Sequence, residues 1–121
     1  MMGSKTLEEL IVIIRDFVKE RDWDKFNKPA ALAVSASIEM GELLELFQWM
    51  SDEDVENALR DEEFVAALGG EIVDVLVYLL RICDKAGIEL TQVFLKKMER
   101  NAEKYKVDDW KGKAPSKFNR Q

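Results

Sequence analysis

Two pairs of acidic residues recur at helical spacing inside otherwise apolar stretches of the chain: Glu39 with Glu42, and Glu71 with Asp74. Residues three apart on an α-helix lie about 60° apart around its axis, so each pair projects two carboxylates from one face. Burying an ionised carboxylate is unfavourable unless a counter-charge lies close by, so four of them on apolar helices require a cation. Ligands that are all hard oxygen favour Mg²⁺, with Mn²⁺ as the alternative. The sequence therefore predicts a metal site formed by these four residues.

Two other interpretations of the acidic pairs are less favoured. An isolated acidic pair on a helix is usually solvated surface, and Glu45, which continues the first series, is expected to be surface of that kind. A redox di-metal bundle would use Glu-x-x-His pairs, but the chain contains no histidine. The same absence excludes Ser-His-Asp and Cys-His catalysis.

Length and composition indicate one small globular domain. The chain has 121 residues, of which 47% are apolar and 35% charged, and it is short enough to favour oligomers. Its single cysteine, Cys83, lies in an apolar helical stretch and is expected to be a buried small residue. We expect no signal peptide and no membrane span, because no apolar run approaches about 20 residues. A reducing, cytoplasmic setting is the simplest expectation.

Charge is unevenly distributed along the chain. Residues 1–94 carry 9 basic and 20 acidic side chains, whereas residues 95–121 carry 9 basic and 4 acidic. An acidic body argues against polymeric nucleic acid as a partner. The basic end would either meet a compact anion that the metal also holds or form a solvated tail.

Helical periodicity and capping signals predict an all-α chain with no sheet. Gly69 and Gly70 are expected to mark either a break in one helix or a close approach by a partner or ligand. Residues 72–83 are apolar almost all round, so we expect the most buried helix there, packed partly against another subunit. The predicted helices cover about 7–23, 29–50, 51–59, 61–86 and 90–105. Residues 1–106 would form the domain, and residues 107–121 an irregular basic tail.

Further polar and aromatic residues fall on the same faces as the carboxylates. Trp49 continues the stripe of the first acidic pair, while Tyr78 and Arg81 continue that of the second. On the last helix a third stripe carries two cations and an amide, namely Lys97, Asn101 and Lys104. Carboxylates for Mg²⁺, lysines for phosphate and aromatics for a flat ring are the groups that a nucleoside triphosphate requires. Arg81 itself is expected to be a structural ion-pair partner.

These motifs resemble the all-α nucleoside triphosphate pyrophosphohydrolases of the MazG-like superfamily, and most closely the dCTP pyrophosphatase branch. The signature of that superfamily is an E-x-x-E pair, a spacer and then E-x-x-D; here 28 residues separate Glu42 from Glu71. The resemblance covers roughly residues 7–107 and also includes the segments 21–26, 45–49 and 97–105 together with Pro29. Asn27 departs from the pattern, because a histidine stands near the base in the animal dCTP enzymes.

The resemblance implies a four-helix bundle of the MazG-like type, assembled with a neighbouring subunit into a homodimer or homotetramer. It implies hydrolysis between the α- and β-phosphates of a dNTP, with Glu39 or Glu42 as general base. Lys97, Asn101 and Lys104 would then neutralise phosphate charge. The residues implied to bind the substrate are Trp23, Phe26, Asn27, Trp49, Tyr78 and Lys104. The alternative is a non-catalytic helical module in which the same aromatics serve as core or interface residues.

Overall fold

A computed structural model describes residues 3–116 and residue 118, and they form helices and turns with no β-strand among them. The all-α prediction is therefore confirmed. The helices are α1 (Leu7–Glu20), α2 (Pro29–Glu45), α3 (Asp52–Ala58), α4 (Glu62–Ala86), α5 (Leu90–Lys104) and α6 (Val107–Trp110), with a 3₁₀ turn at Asp24–Phe26. The chain divides into two compact units, the first ending at Ile88 and the second beginning at Glu89.

Helix ends follow local capping chemistry. Thr6 forms a capping box with Glu9 at the start of α1, and Ser51 forms one with Asp54 at the start of α3. In each box the side chains satisfy backbone N–H groups that lack a partner within the helix. Gly87 ends α4 with a φ of 68°, a left-handed conformation that glycine adopts without a Cβ penalty.

The first unit is built on α4, which packs along α2 and over a shorter length against α1. Its buried apolar side chains are Ile11, Val18, Leu32, Ala36 and Leu80. A bidentate ion pair also joins α1 to α4: Arg15 donates from Nη2 to Oδ1 of Asp84 at 2.6 Å and from Nε to Oδ2 at 3.2 Å. Apolar packing and this pair together fix α4 against its two neighbours.

Two expectations about the helices need correction. First, α2 ends at Glu45 rather than near residue 50, because its last turn tightens into i to i−3 hydrogen bonds. Phe47 then packs edge-on against Phe64 of α4, with 5.8 Å between ring centroids. Second, α4 runs without a break through Gly69 and Gly70, and a methyl group added at either would meet no described atom within 4 Å. The close approach of a partner or ligand at these glycines stays a prediction.

The burial of residues 72–83 partly against another subunit stays a prediction, and in one chain this stretch is only partly covered. Of the expected buried stretch 72–83, Leu80 is buried, whereas Ile72, Val73 and Leu79 are exposed. Cys83 is half-buried rather than buried. The surroundings in a single chain are thus more open than the all-round apolar sequence suggests.

The second unit contains α5 and α6. A short helix, Val107–Trp110, forms inside the segment expected to be irregular, and Trp110 packs edge-on against Tyr105 with 5.3 Å between ring centroids. Residues 117 and 119–121 of the expected tail lie outside the described residues. Among the helices that are described, none is long and apolar enough to cross a membrane.

We expect Asp84→Asn to destabilise the protein in a pH-dependent way. The hydrogen bonds from Arg15 hold the pKa of Asp84 below its ordinary value. A lowered folded pKa contributes stability above the unfolded pKa, about 3.9, and that stability is lost as pH falls through the folded pKa. Denaturant unfolding should therefore show a less stable variant at pH 7, with a thermal midpoint lower by a few degrees, and a difference that shrinks towards pH 3. Glu103→Gln on α5 is the control, and an equal deficit at both pH values would contradict the assignment.

Candidate active site

The packing of α2 against α4 brings carboxylates from both helices together. One oxygen each from Glu39, Glu42 and Glu71 lies within 4.8 Å of the others. Asp74, one turn after Glu71, lines the adjoining cavity together with Glu39. All four predicted ligands therefore fall in one region of the first unit. We call them the acidic cluster.

The electrostatics of the acidic cluster favour a counter-charge. Oε2 of Glu71 is shut off from solvent and has no hydrogen-bond partner among the described residues. Desolvation raises the pKa of Glu71, and the negative charges of Glu42, Asp74 and Glu45 raise it further. Because a buried oxygen without a partner is unfavourable, the site fits a cation that binds carboxylates.

The pKa of Glu39 is also raised, but its largest cause differs from that of Glu71. A hydrogen bond with Glu42 raises the pKa of Glu39, followed by desolvation and the charges of Glu42, Asp74 and Glu71. Apart from desolvation, these causes arise from negative charge brought close together, and a bound divalent cation would offset that charge.

A cavity of about 410 Å³ opens beside the acidic cluster. Its walls are mainly apolar, with the carboxylates of Glu39 and Asp74, the rings of Trp23 and Tyr78, and the guanidinium group of Arg81. This combination of one acidic region and an aromatic wall could hold a planar ring next to a metal-bound anion. The remaining lining residues are Ile13, Ile14, Phe17, Val18 and Val77.

Trp23 is held in place by the turn after α1. Its backbone N–H donates to the carbonyl of Val18 at 3.0 Å, and its ring meets Phe17 edge-on with 5.8 Å between centroids. Asp22, the residue before it, has a φ of 53°. Phe26 is exposed and lines a second cavity, of about 380 Å³, on the other side of Trp23 and Tyr78.

Asn27 makes a polar contact with Arg81, which lines both of these cavities. Asn27 is only 7% exposed, and its Oδ1 accepts a hydrogen bond from Nε of Arg81 at 3.3 Å. The guanidinium carbon also lies 5.7 Å from the centroid of the Tyr78 ring. The described residues place no carboxylate within ion-pair distance of Arg81, so the expectation of a structural ion pair was wrong. Its position on the stripe of Asp74 and Tyr78 was the sequence signal for a place in the site.

Trp49 lies apart from this cavity. The end of α2 at Glu45 removes it from the helical stripe, and the indole is 92% exposed on a backbone with a φ of 70°. It is not among the lining residues of the 410 Å³ cavity. A role in substrate binding remains a prediction for this residue.

The three polar residues of the last helix lie in the second unit. Lys97, Asn101 and Lys104 share one face of α5, and the Asn101 amide donates to the sulfur of Met98 at 3.8 Å. Nζ of Lys104 lies 5.3 Å from the centroid of the Tyr105 ring. Their action on phosphate remains a prediction.

The sequence matches the model of the MazG-like family over residues 34–116. The chain belongs to the MazG-like family. Among curated proteins it is 37% identical over 109 residues to dCTP pyrophosphatase 1 of Mus musculus, covering 90% of this chain and 64% of that protein. The same enzyme of Bos taurus is 37% identical over 112 residues, covering 93% and 66%. This chain thus spans about two thirds of the length of these relatives.

A solved structure shows the same family resemblance. A pyrophosphatase from Archaeoglobus fulgidus DSM 4304 is 44% identical and superimposes with a TM-score of 0.73, covering 88% of this chain and 97% of that one. These matches confirm the resemblance read from the acidic pairs and their neighbouring motifs.

We expect a divalent cation to stabilise the protein through the acidic cluster. A ligand that binds only the folded state raises the free energy of unfolding by about 2.7 kcal/mol when its free concentration is 100 times its dissociation constant. Titration with MgCl₂ or MnCl₂, followed by thermal unfolding and calorimetry, should show this gain in the wild type. Glu71→Gln should weaken the gain and, without metal, unfold at a higher temperature than wild type, because a desolvated charge has been removed.

The matched control for this experiment is Glu56→Gln, an exposed position on α3. It should behave as wild type with and without metal. A metal-induced shift of equal size in Glu71→Gln would contradict the assignment of the acidic cluster.

Proposed function

We propose that this protein is a Mg²⁺-dependent nucleoside triphosphate pyrophosphohydrolase. It would cleave between the α- and β-phosphates of a dNTP, either dCTP or a related or modified nucleotide, to give the monophosphate and pyrophosphate. The observation that carries the proposal is the acidic cluster, with its unpartnered Glu71 oxygen, opening on an aromatic cavity. The names of the relatives, dCTP pyrophosphatase 1 and a pyrophosphatase, support the same reaction.

Glu39, Glu42, Glu71 and Asp74 would hold the metal, for which Mn²⁺ could substitute. When bound, such an ion supplies Lewis-acid polarisation of phosphate oxygens and lowers the pKa of bound water. All four ligands offer carboxylate oxygens, which is the donor set that Mg²⁺ prefers.

The protein side chains would supply proton transfer and stabilisation of phosphate charge. Glu39 or Glu42 would accept a proton from the attacking water as its oxygen bonds to the α-phosphorus. The bond from that phosphorus to the bridging oxygen breaks, and pyrophosphate leaves with its electron pair. Lys97, Asn101 and Lys104 would donate hydrogen bonds to phosphate oxygens and offset the charge on the leaving group.

The nucleoside would occupy the 410 Å³ cavity whose walls include Trp23 and Tyr78, which we call the aromatic cavity. Trp23, which lines this cavity, and Phe26, which lines the neighbouring cavity that Trp23 also borders, offer ring faces for stacking, which contributes about 1–3 kcal/mol per base. Tyr78 could donate its hydroxyl to a sugar or phosphate oxygen. Asn27 would lie near the base. Trp49, exposed to solvent in one chain, would contact a nucleotide only where another surface closes over it.

We infer that the chain completes its four-helix bundle with a second copy, as a homodimer or homotetramer. The exposed apolar residues of the two site-bearing helices support this, because single-chain solvation of so many is unfavourable. On α2 they include Val34, Ile38 and Leu44, and on α4 Val65, Ile72 and Val73. A second copy that covers them would also bury more of the acidic cluster.

Hydrolysis of a dNTP panel tests the proposed reaction. With Mg²⁺ the wild type should release pyrophosphate and a monophosphate, and H₂¹⁸O should label the monophosphate if water attacks the α-phosphorus. Glu42→Gln and Asp74→Asn should each lower activity by about 10- to 100-fold or more, because a metal ligand is lost. Glu56→Gln should retain wild-type activity.

The alternative, a non-catalytic binding module, predicts that no dNTP is hydrolysed. If no natural or modified dNTP is turned over with Mg²⁺ or Mn²⁺, the enzyme assignment fails, and nucleotide binding without hydrolysis would favour a binding module.

Sedimentation or light scattering tests the assembly. Ile38, on α2, is 61% exposed and Val73, on α4, is 53% exposed. Ile38→Glu with Val73→Glu should convert the oligomer to smaller species, because burying carboxylates in an apolar interface is strongly unfavourable. Lys28→Glu controls for added negative charge. A wild type that is monomeric at micromolar concentration would contradict the proposed assembly.

A further inference from the structure

Arg81, at the wall of the aromatic cavity, has N–H hydrogen-bond donors that no described residue accepts from. Its Nε is used by Asn27 at 3.3 Å, and no carboxylate among the described residues pairs with it. Asp84, three residues further along α4, is already bound through both oxygens by Arg15 at 2.6 and 3.2 Å. The two terminal nitrogens of Arg81 are therefore available to a ligand.

Asn27 holds the guanidinium group of Arg81 by one hydrogen bond, which its buried Oδ1 accepts from Nε of Arg81. The guanidinium group has five N–H donors and no acceptor. The two terminal nitrogens of the half-buried Arg81 can therefore bind acceptors and cannot bind donors.

The pair lies well away from the acidic cluster along α4. Arg81 lies seven positions after Asp74, which corresponds to about 10 Å along the helix axis. A nucleotide whose phosphates lie at the carboxylates would extend its sugar past Tyr78 and its base towards Arg81. The group that Arg81 meets is then the edge of the base rather than a phosphate.

We propose that Arg81, oriented by Asn27, determines base specificity by donating two parallel hydrogen bonds to N3 and O2 of cytosine. This inference rests on the proposed function. The two terminal nitrogens form a planar fork that matches two adjacent acceptors. Uracil and thymine carry an N3–H donor between their carbonyls, so the same fork would face a donor there. A site built from unpaired donors rejects such a base because the donors are left unsatisfied.

The test compares substrates that differ at the base edge. For the wild type, kcat/KM should favour dCTP over dUTP by roughly 5- to 150-fold, the discrimination expected of one bidentate contact. Arg81→Met keeps the aliphatic stem and should bring this ratio close to one, mainly by lowering the value for dCTP. Arg81→Lys keeps the charge without the fork and should give an intermediate ratio. Asn27→Ala should lower the ratio as well, since it releases the guanidinium group.

Binding of the products gives a readout independent of turnover. Calorimetry should show tighter binding of dCMP than dUMP to the wild type with Mg²⁺, and Arg81→Met should lose that difference. Arg60→Met, which removes an exposed arginine that donates only to Asn57 Oδ1 among the described contacts, is the matched control and should keep the selectivity. Thermal unfolding of each variant separates loss of folding from loss of recognition.

Several results would overturn the inference. Equal losses for dCTP and dUTP in Arg81→Met would make Arg81 structural, and an unchanged ratio in Asn27→Ala would remove the positioning role of Asn27. Guanine also presents adjacent acceptors, O6 and N7, so equal or greater turnover of dGTP would overturn the assignment to cytosine. Absence of all hydrolysis would instead defeat the proposed function, and the dCMP and dUMP affinities alone would then decide the role of Arg81.

Discussion

Repulsion among carboxylates at the contact between α2 and α4 is the constraint on which the site depends. The two helices bring Glu39, Glu42 and Glu71 within 4.8 Å of one another, and one oxygen of Glu71 is sealed from water without a partner. Apolar side chains and the Arg15–Asp84 ion pair hold the rest of the first unit together, so this contact forms in spite of its charges. Carboxylates with shifted pKa values concentrate where ions or substrates bind, so the acidic cluster is the candidate binding site of this fold. The repulsion contributes to the raised pKa values of Glu39 and Glu71.

The two arginines that meet α4 show how the same side chain can take different roles. Arg15 uses its fork on Asp84 and thereby joins α1 to α4. Arg81 instead donates from Nε to the amide oxygen of Asn27, which leaves its terminal donors without a partner among the described residues. Arg81 is thus available to the cavity. The hydrogen bond to Asn27 in turn limits the directions in which those donors can point.

Much of the fold and part of the site could be predicted from the sequence. Capping residues such as Thr6 and Ser51, and the glycine stop at Gly87, act locally, so their helix ends were predictable. The acidic pairs were predictable because helical spacing fixes which side chains share a face. The end of α2 was not, because apolar residues after Glu45 keep a helical pattern while Phe47 packs on Phe64 in a distant part of the chain. The partner of Arg81 was missed for the same reason: it lies 54 residues away.

Backbone strain supports the view that the aromatics at residues 23 and 49 serve a ligand rather than the core. Among the described residues other than glycine, Asp22 and Trp49 have positive φ values, 53° and 70°. A left-handed conformation is tolerated by Asp but is unfavourable by about 1–2 kcal/mol for a residue such as Trp. Neither indole is buried as compensation, since Trp23 and Trp49 are both exposed. Strain without burial is typical of residues presented to something outside the chain, and such residues cluster at binding sites. One of these turns precedes Trp23 at the wall of the 410 Å³ cavity, while the other leaves the indole of Trp49 exposed to solvent.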